Sequence, residues 1–465
     1  MSTAPAPRSG MDLLARMWPA LATLLVAAAF GAAVHLGIEF AFVAGLAALV
    51  MVLAILRQPS WGLYLALFLV PLEAVGQIVP GVSVITWAKA VLLVTFLSFV
   101  LQMLLARRRL ATPPFAGLLY GVFAIALASS LAFGSSDGSL WGMVAMFGQL
   151  VLVVLMFNLV RTRETYIRAV LAIVAGSVPV VAVGLLDVVS RRSFLGTVAN
   201  QVYASAAAGI FRITSTFYDP NALARYLAFA AIVTICAASF PEMRRFRPLL
   251  FVLAVAQVFC LVNTFSRSGF LAVLATVPLY LLWERGSGNR VRRTVAVVCG
   301  AGVVLALYQP LFTILMQRFF GSSGEFQIDP NRMAIWRIGL DAFWRSPFFG
   351  QGPDNVVEAI GGFAAHNMYL EVLIAVGLVG SALFAAYVGH AALQAVRLRR
   401  HPALSDGARV AVLALAVVLF TGLVLHGFKS NELWISLSLL TCVAAIPTRT
   451  LEPAPGDPEG GSHPQ

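Results

Sequence analysis

Long apolar stretches, separated by short polar connections rich in arginine, recur along almost the whole of this 465-residue chain. Most are long enough, at about 1.5 Å per residue, to cross a bilayer core of ~30 Å as helix. None alternates with the period of two that a barrel strand requires. Candidate spans fall at residues 18–34, 39–56, 61–79, 85–105, 115–133, 140–160, 167–187, 220–240, 249–265, 270–284, 294–313, 366–390, 408–427 and 431–446. The pattern predicts an all-α, polytopic integral membrane protein with 12–14 transmembrane helices. Arg8 and Arg16 precede the first stretch, which reads as an uncleaved span because further spans follow at once.

The spacing of the spans divides the chain. Residues 1–17 form a cytoplasmic N-terminal segment, and 18–313 a series of spans interrupted by an outer loop at 188–219. Residues 314–365 make a long periplasmic loop, 366–446 the C-terminal spans, and 447–465 a Pro/Gly-rich, disordered cytoplasmic tail. Inside the long loop, Met333, Trp336, Leu340, Phe343 and Trp344 recur at helical spacing, with Arg337, Asp341 and Arg345 opposite them. That predicts an amphipathic helix on the outer membrane surface, ended by Pro347.

Composition agrees with this class: 60% of residues are hydrophobic and only 11% charged, with a mean hydropathy of +0.88. The net charge of +12 would suggest nucleic acid if the arginines formed a patch. Instead they flank apolar runs, at Arg57, Arg107 to Arg109, Arg161 and Arg163, Arg244 to Arg247, Arg290 to Arg293 and Arg397 to Arg400. With alternating helices all these clusters fall on one side, the cytoplasmic one by the positive-inside rule, so membrane lipid and not nucleic acid is the expected surroundings. Cys236, Cys260, Cys299 and Cys442 lie inside apolar runs, too far apart for a zinc or redox motif, and read as packing residues.

Several arginines remain on the opposite side, against insertion bias, and guanidinium is the natural two-pronged partner of phosphate. Arg212 precedes a helix start made by Tyr218, Asp219, Pro220 and Asn221, whose N-terminus adds its own attraction for anions. Arg225 lies one turn inside the following span, where charge is costly and an inward role is the default, with snorkelling as the bland alternative. Arg267 occupies a polar knot, "NTFSRSGF", and Arg332 opens the amphipathic loop helix. His366 ends the long loop; an imidazole near its ordinary pKa can accept a proton from an attacking hydroxyl, or merely cap a helix. His35 and His426 lack such arginine-rich company and read as plain interfacial residues. A nucleotide-binding lysine loop is absent, and no carboxylate pair or His/Cys cluster on the outer side calls for a metal or other cofactor.

The run His366–Asn367, nine residues, then Gly377 and Gly380, resembles the pattern of O-antigen ligases. The preceding "NRMAIWRIGLDAFWRSPFFGQGPDN", with "RITSTFYDPNALA" and "TFSRSGFLA", is similar to segments of the wider O-antigen ligase/polymerase superfamily, over roughly residues 200–385. The resemblance implies a C-type, inverting, metal-independent glycosyltransferase of the bacterial inner membrane, its active site facing the periplasm. The donor would be a glycan on undecaprenyl pyrophosphate, and the acceptor lipid A–core. His366 matches the loop histidine, and Arg212 and Arg332 the essential arginines; Arg267, Arg225 and Asn221 are the candidate pyrophosphate contacts. Two alternatives stay open: a polymerase or protein O-oligosaccharyltransferase using the same donor, and a non-catalytic transporter or flippase, against which the absence of buried coupling carboxylates argues.

Overall fold

The computed structural model describes residues 39–72, 75–78, 86–107, 109–133, 138–195, 211–283 and 330–449. The expected spans at 18–34 and 294–313, the Arg290 to Arg293 cluster, Cys299 and the tail lie outside them. Contacts divide the chain into two units, residues 1–59 and 60–465. In the first, α1 (Glu39–Arg57) is an apolar helix closed by a basic residue.

The second unit is built from α2 (Pro59–Leu69), α3 (Trp87–Leu105), α4 (Ala116–Phe133), α5 (Gly138–Leu159), α6 (Arg163–Ser190) and α7 (Pro220–Ala237). Then come α8 (Arg247–Asn263), α9 (Arg267–Trp283), α10 (Pro330–Arg345), α11 (Val356–Ala359), α12 (Met368–Arg397), α13 (Ser405–Gly422) and α14 (Asn431–Arg449). No strand occurs among the described residues, only one isolated bridge between Gln77 and Thr86. Eight of the described helices are long and apolar enough to cross a membrane. Four shorter apolar ones, at Gly45–Arg57, Pro59–Leu72, Arg267–Trp283 and Asn431–Ile446, match four further expected spans. The protein is an all-α, polytopic membrane protein.

Burial ranks the helices. In α7, 78% of the apolar window is buried inside the protein, against 22% for α3, so α7 is central and α3 peripheral. Lipid tails are as apolar as leucine, so burial alone cannot choose partners; close packing and interhelical hydrogen bonds do. Gln257 donates to the hydroxyls of Ser177 (2.7 Å) and Thr234 (3.1 Å), joining α8, α6 and α7. At one end of the bundle Arg163 pairs with Glu242 and donates to the Ala403 carbonyl, while Arg399 donates to the Trp283 carbonyl. Three of the expected arginine clusters, around Arg163, Arg244 and Arg399, therefore share this end.

At the other end, Asp187 ties down both ends of the expected outer loop. Its carboxylate accepts from the Phe194 N–H (2.7 Å) and the Ser215 N–H (2.8 Å). The expected loop helix forms as α10 (Pro330–Arg345). Ala342 and Phe343 are buried, whereas Met333, Leu340 and Trp344 stay exposed. Gly339 allows the close approach of α10 to α12: a Cβ there would lie 2.7 Å from Leu370.

The longest helix, α12, is interrupted at Gly377 (φ 63°, ψ −169°), a conformation open only to glycine. Two helical bonds, from residues 378 and 379 back to 374 and 375, are lost there. The segment 347–352 replaces them: Gln351 and Gly352 donate to the carbonyls of Ile374 (2.8 Å) and Ala375 (2.9 Å). In return, Leu378 and Val379 donate to the carbonyls of Pro347 (2.8 Å) and Phe348 (3.0 Å). Non-helical backbone at membrane depth is tolerable only when paired in this way. Gly380 then lets α12 approach Ile125 of α4, 3.4 Å from where its Cβ would stand.

Candidate active site

The site is assembled where α7, α9, α12 and α14 begin and α8 and α13 end. Asp219 caps α7, its carboxylate accepting from the Asn221 N–H at 3.0 Å, with Pro220 at the first helical position as the sequence suggests. The Asn221 amide oxygen accepts from Arg212 at 3.0 Å. Arg212, buried to 8% exposure, also donates Nε–H to the Thr264 carbonyl (2.7 Å), so the turn between α8 and α9 holds it. Asn221 therefore orients an arginine within the site.

Arg225 points inward, not toward headgroups: 9% exposed, it donates to the His426 carbonyl at 2.5 Å and lies 3.6 Å from the Glu432 carboxylate. Arg332, at the start of α10, donates to the Val424 carbonyl at 3.1 Å. Arg267 is the first residue of α9 and partly buried; two residues on, Gly269 sits against Ala224, the neighbour of Arg225. Arg337 and Arg345 are exposed, as expected of surface charges.

His366 is partly buried and has φ +47°, a left-handed conformation uncommon for a residue with a side chain. Its neighbours hold it there. Asn367 caps α12, its side chain accepting from Tyr369 N–H (3.0 Å) and Leu370 N–H (3.1 Å). One residue before His366, the Ala365 carbonyl accepts from the Trp336 indole of α10 (3.1 Å). The loop helix that carries Arg332 is thus fastened to the segment that carries His366.

Residues 424–428 join these parts. His426 stacks edge-on with His366, ring centroids 5.9 Å apart, and its carbonyl takes the Arg225 hydrogen bond. The reading of His426 as a histidine without arginine company is therefore corrected; Arg225, 201 residues earlier, reaches it through the fold. The Glu371 carboxylate anchors this loop by accepting from the N–H groups of Gly427 (2.7 Å) and Phe428 (3.0 Å). His426 is exposed, with its ring against that of His366. Desolvation by the surrounding protein pulls its pKa below the ordinary imidazole value, against the pull of Glu371, while Arg225 lowers it further.

Glu371 and Glu432 were missed in the sequence reading. Each is an acidic residue in the first turn of an otherwise apolar helix, an anomaly that marks an inward-facing partner. The pairing also makes a prediction. Removing Arg225 leaves the Glu432 carboxylate buried and uncompensated, so Arg225→Ala should cost about 3–5 kcal/mol of stability. A thermal-unfolding measurement in detergent checks it, and Arg225→Ala/Glu432→Ala should recover part of the loss.

The geometry brings His366, His426, Arg225, Arg332 and Glu371 around one loop, with Arg212 and Asn221 at the head of the helix bearing Arg225. Among the described residues, no cluster of three or more His, Cys, Asp or Glu side chains has a metal-binding arrangement. No curated protein matches the chain. Residues 249–385 match the Wzy_C family model, described as O-antigen ligase. The match takes in Arg267, Arg332, His366 and the Gly377 break, whereas Arg212, Asn221, Arg225 and His426 lie outside it. Over residues 249–385, then, this membrane protein is similar to the O-antigen ligase family.

Proposed function

We propose that the protein is an O-antigen ligase of the bacterial inner membrane. It transfers a glycan from undecaprenyl pyrophosphate to a sugar hydroxyl of lipid A–core on the periplasmic side, with inversion and without a metal. The observation that carries this reading is the convergence of His366 with Arg225 and Arg332 on residues 424–428, from three separate stretches of chain.

The chemistry follows from the residue types. An imidazole nitrogen of His366 takes the proton of the acceptor hydroxyl as its oxygen bonds to the anomeric carbon. The bond from that carbon to the phosphate oxygen breaks on the opposite face, and its electron pair leaves on undecaprenyl pyrophosphate. The arginines at 212, 267 and 332 stabilise the growing negative charge, while Arg225, paired with Glu432, holds the loop that carries His426. One displacement inverts the anomeric centre. The leaving group is carried by the donor itself, so no nucleotide is needed outside the cytoplasm, and holding two lipid-bound substrates in one site supplies the proximity.

The test incubates purified protein with a lipid-pyrophosphate glycan, with and without lipid A–core. Product that forms only with the core supports ligation; elongation on the donor lipid supports polymerisation, and no product in either case sinks transfer altogether. Transfer should be unchanged by EDTA, and inhibition reversed by added metal would reject the metal-free step. Arg212→Lys keeps the charge but loses the fork that binds Thr264 and Asn221 together. Transfer should fall about 10- to 100-fold, at the scale of a displaced charge-assisted contact, measured as initial rate at saturating donor.

A further inference from the structure

Beside the Arg225–Glu432 pair, on the side of the head of α14, lies a cavity of about 350 Å³ that also reaches Phe217, Tyr218, Tyr226 and Ser430. That volume is at the lower end of the ~300–1,000 Å³ usual for small-molecule sites. We propose that it is a carbohydrate subsite, which takes an uncharged sugar ring of a glycan substrate. This rests on the transfer reading and adds where a sugar is held.

Three observations point to a neutral polyol. First, two residues that line the cavity, Tyr226 and Ser430, carry buried hydroxyls with no hydrogen-bond partner within the protein. Tyr226 is only 3% exposed, and a buried hydroxyl left unmade costs about 1–3 kcal/mol, so a ligand that both donates and accepts is favoured there. Sugar hydroxyls do both.

Second, the charges lining the cavity do not favour an anion. Arg225 is offset by Glu432 at 3.6 Å, Asp219 adds a second carboxylate, and the Lys429 ammonium is turned to the Pro353 carbonyl at 3.0 Å. Two carboxylates balance the two cations here, so pyrophosphate would meet no net positive charge. Those carboxylates are suitable acceptors for sugar hydroxyls.

Third, one wall is aromatic. Phe217 and Tyr226 lie 5.3 Å apart between ring centroids, and Tyr218 is fixed beside them by a hydrogen bond from Gln77 to its hydroxyl (2.5 Å). Ring faces suit the C–H face of a pyranose, while Tyr keeps a polar tip for its rim.

The test uses the full chain in lipid nanodiscs free of glycoside detergent, which would itself compete. Saturation-transfer-difference NMR reads methyl glucoside, methyl N-acetylglucosaminide and methyl rhamnoside in turn, with inorganic pyrophosphate as the anionic probe. At least one glycoside should receive saturation. Ala222→Trp, which fills the cavity, should weaken its binding by about tenfold or more. The near-isosteric Tyr226→Phe/Ser430→Ala should weaken it severalfold and covers the case in which the tryptophan prevents folding. Saturation of no glycoside, saturation unchanged by the variants, or displacement of the glycoside by pyrophosphate each overturns the assignment. Wild-type protein that transfers glycan yet binds no glycoside sinks this inference alone. Protein that binds glycoside in this cavity yet transfers nothing sinks the transfer reading alone.

Discussion

Replacing His366 with asparagine is expected to abolish most glycan transfer while leaving the protein inserted and folded. Asparagine is the informative substitution because it tolerates the positive φ that His366 adopts, so the backbone at the head of α12 stays as it is. The Asn367 cap and the Trp336 to Ala365 bond make no use of the imidazole and should survive. What disappears is a side chain able to take a proton near neutral pH. Loss of a positioned general base costs about 10²- to 10⁴-fold in rate. The measurement is the initial rate of transfer from a lipid-pyrophosphate glycan, alongside the unfolding temperature. A variant within a factor of about three of wild type would remove His366 from the chemistry, since a general base contributes far more than that. His426, 5.9 Å away, would be the first group to re-examine.

Gly377→Ala is expected to have the largest effect on folding of any single methyl addition in the described residues. A Cβ there would run into the backbone of Phe348 and Phe349, and backbone cannot swing aside as a side chain can. The required φ of 63° with ψ of −169° is also closed to alanine, a further cost of about 1–3 kcal/mol. Expelling the 347–352 segment would undo four backbone hydrogen bonds at once and leave the groups of both partners unpaired at membrane depth. Folded protein recovered from the membrane should therefore drop severely, and whatever survives should transfer poorly, because α10 and the first half of α12 would lose their fixed relation. Gly45→Ala is the control, since nothing lies within 4 Å of a Cβ at that position and both yield and rate should be unchanged. Normal yield and normal unfolding temperature for Gly377→Ala would contradict the clamp.

These two residues separate what a motif records from what it does. His366 and Gly377 belong to one sequence run, yet the first offers an imidazole and the second a break in a helix. The break lets a polar loop enter the bundle and fasten Arg332 near His366. The glycines of "FFGQG" have the complementary task. Both Gly350 (φ 76°) and Gly352 (φ 91°) take conformations that side chains avoid, one against Ala375 and the other against Ser130. None of this is visible as spacing, because the pairing of 347–352 with 374–379 is long-range and depends on hydrogen bonds that the one-dimensional pattern does not encode.

The amino-acid sequence by itself determined the membrane class and the position of most described spans to within a few residues. Hydrocarbon requires apolar helices of a set length, and that requirement is written locally. It also marked His366, Arg212, Arg225 and Arg332, since a charge or imidazole set against insertion bias stands out from its neighbours. Only the tertiary structure decided that Arg225 turns inward to Glu432, that His426 lies beside His366, and that α10 meets α12 at Gly339. Partner choice among helices in lipid follows from close approach and hydrogen bonding between distant segments, and those terms exist only once the chain has folded.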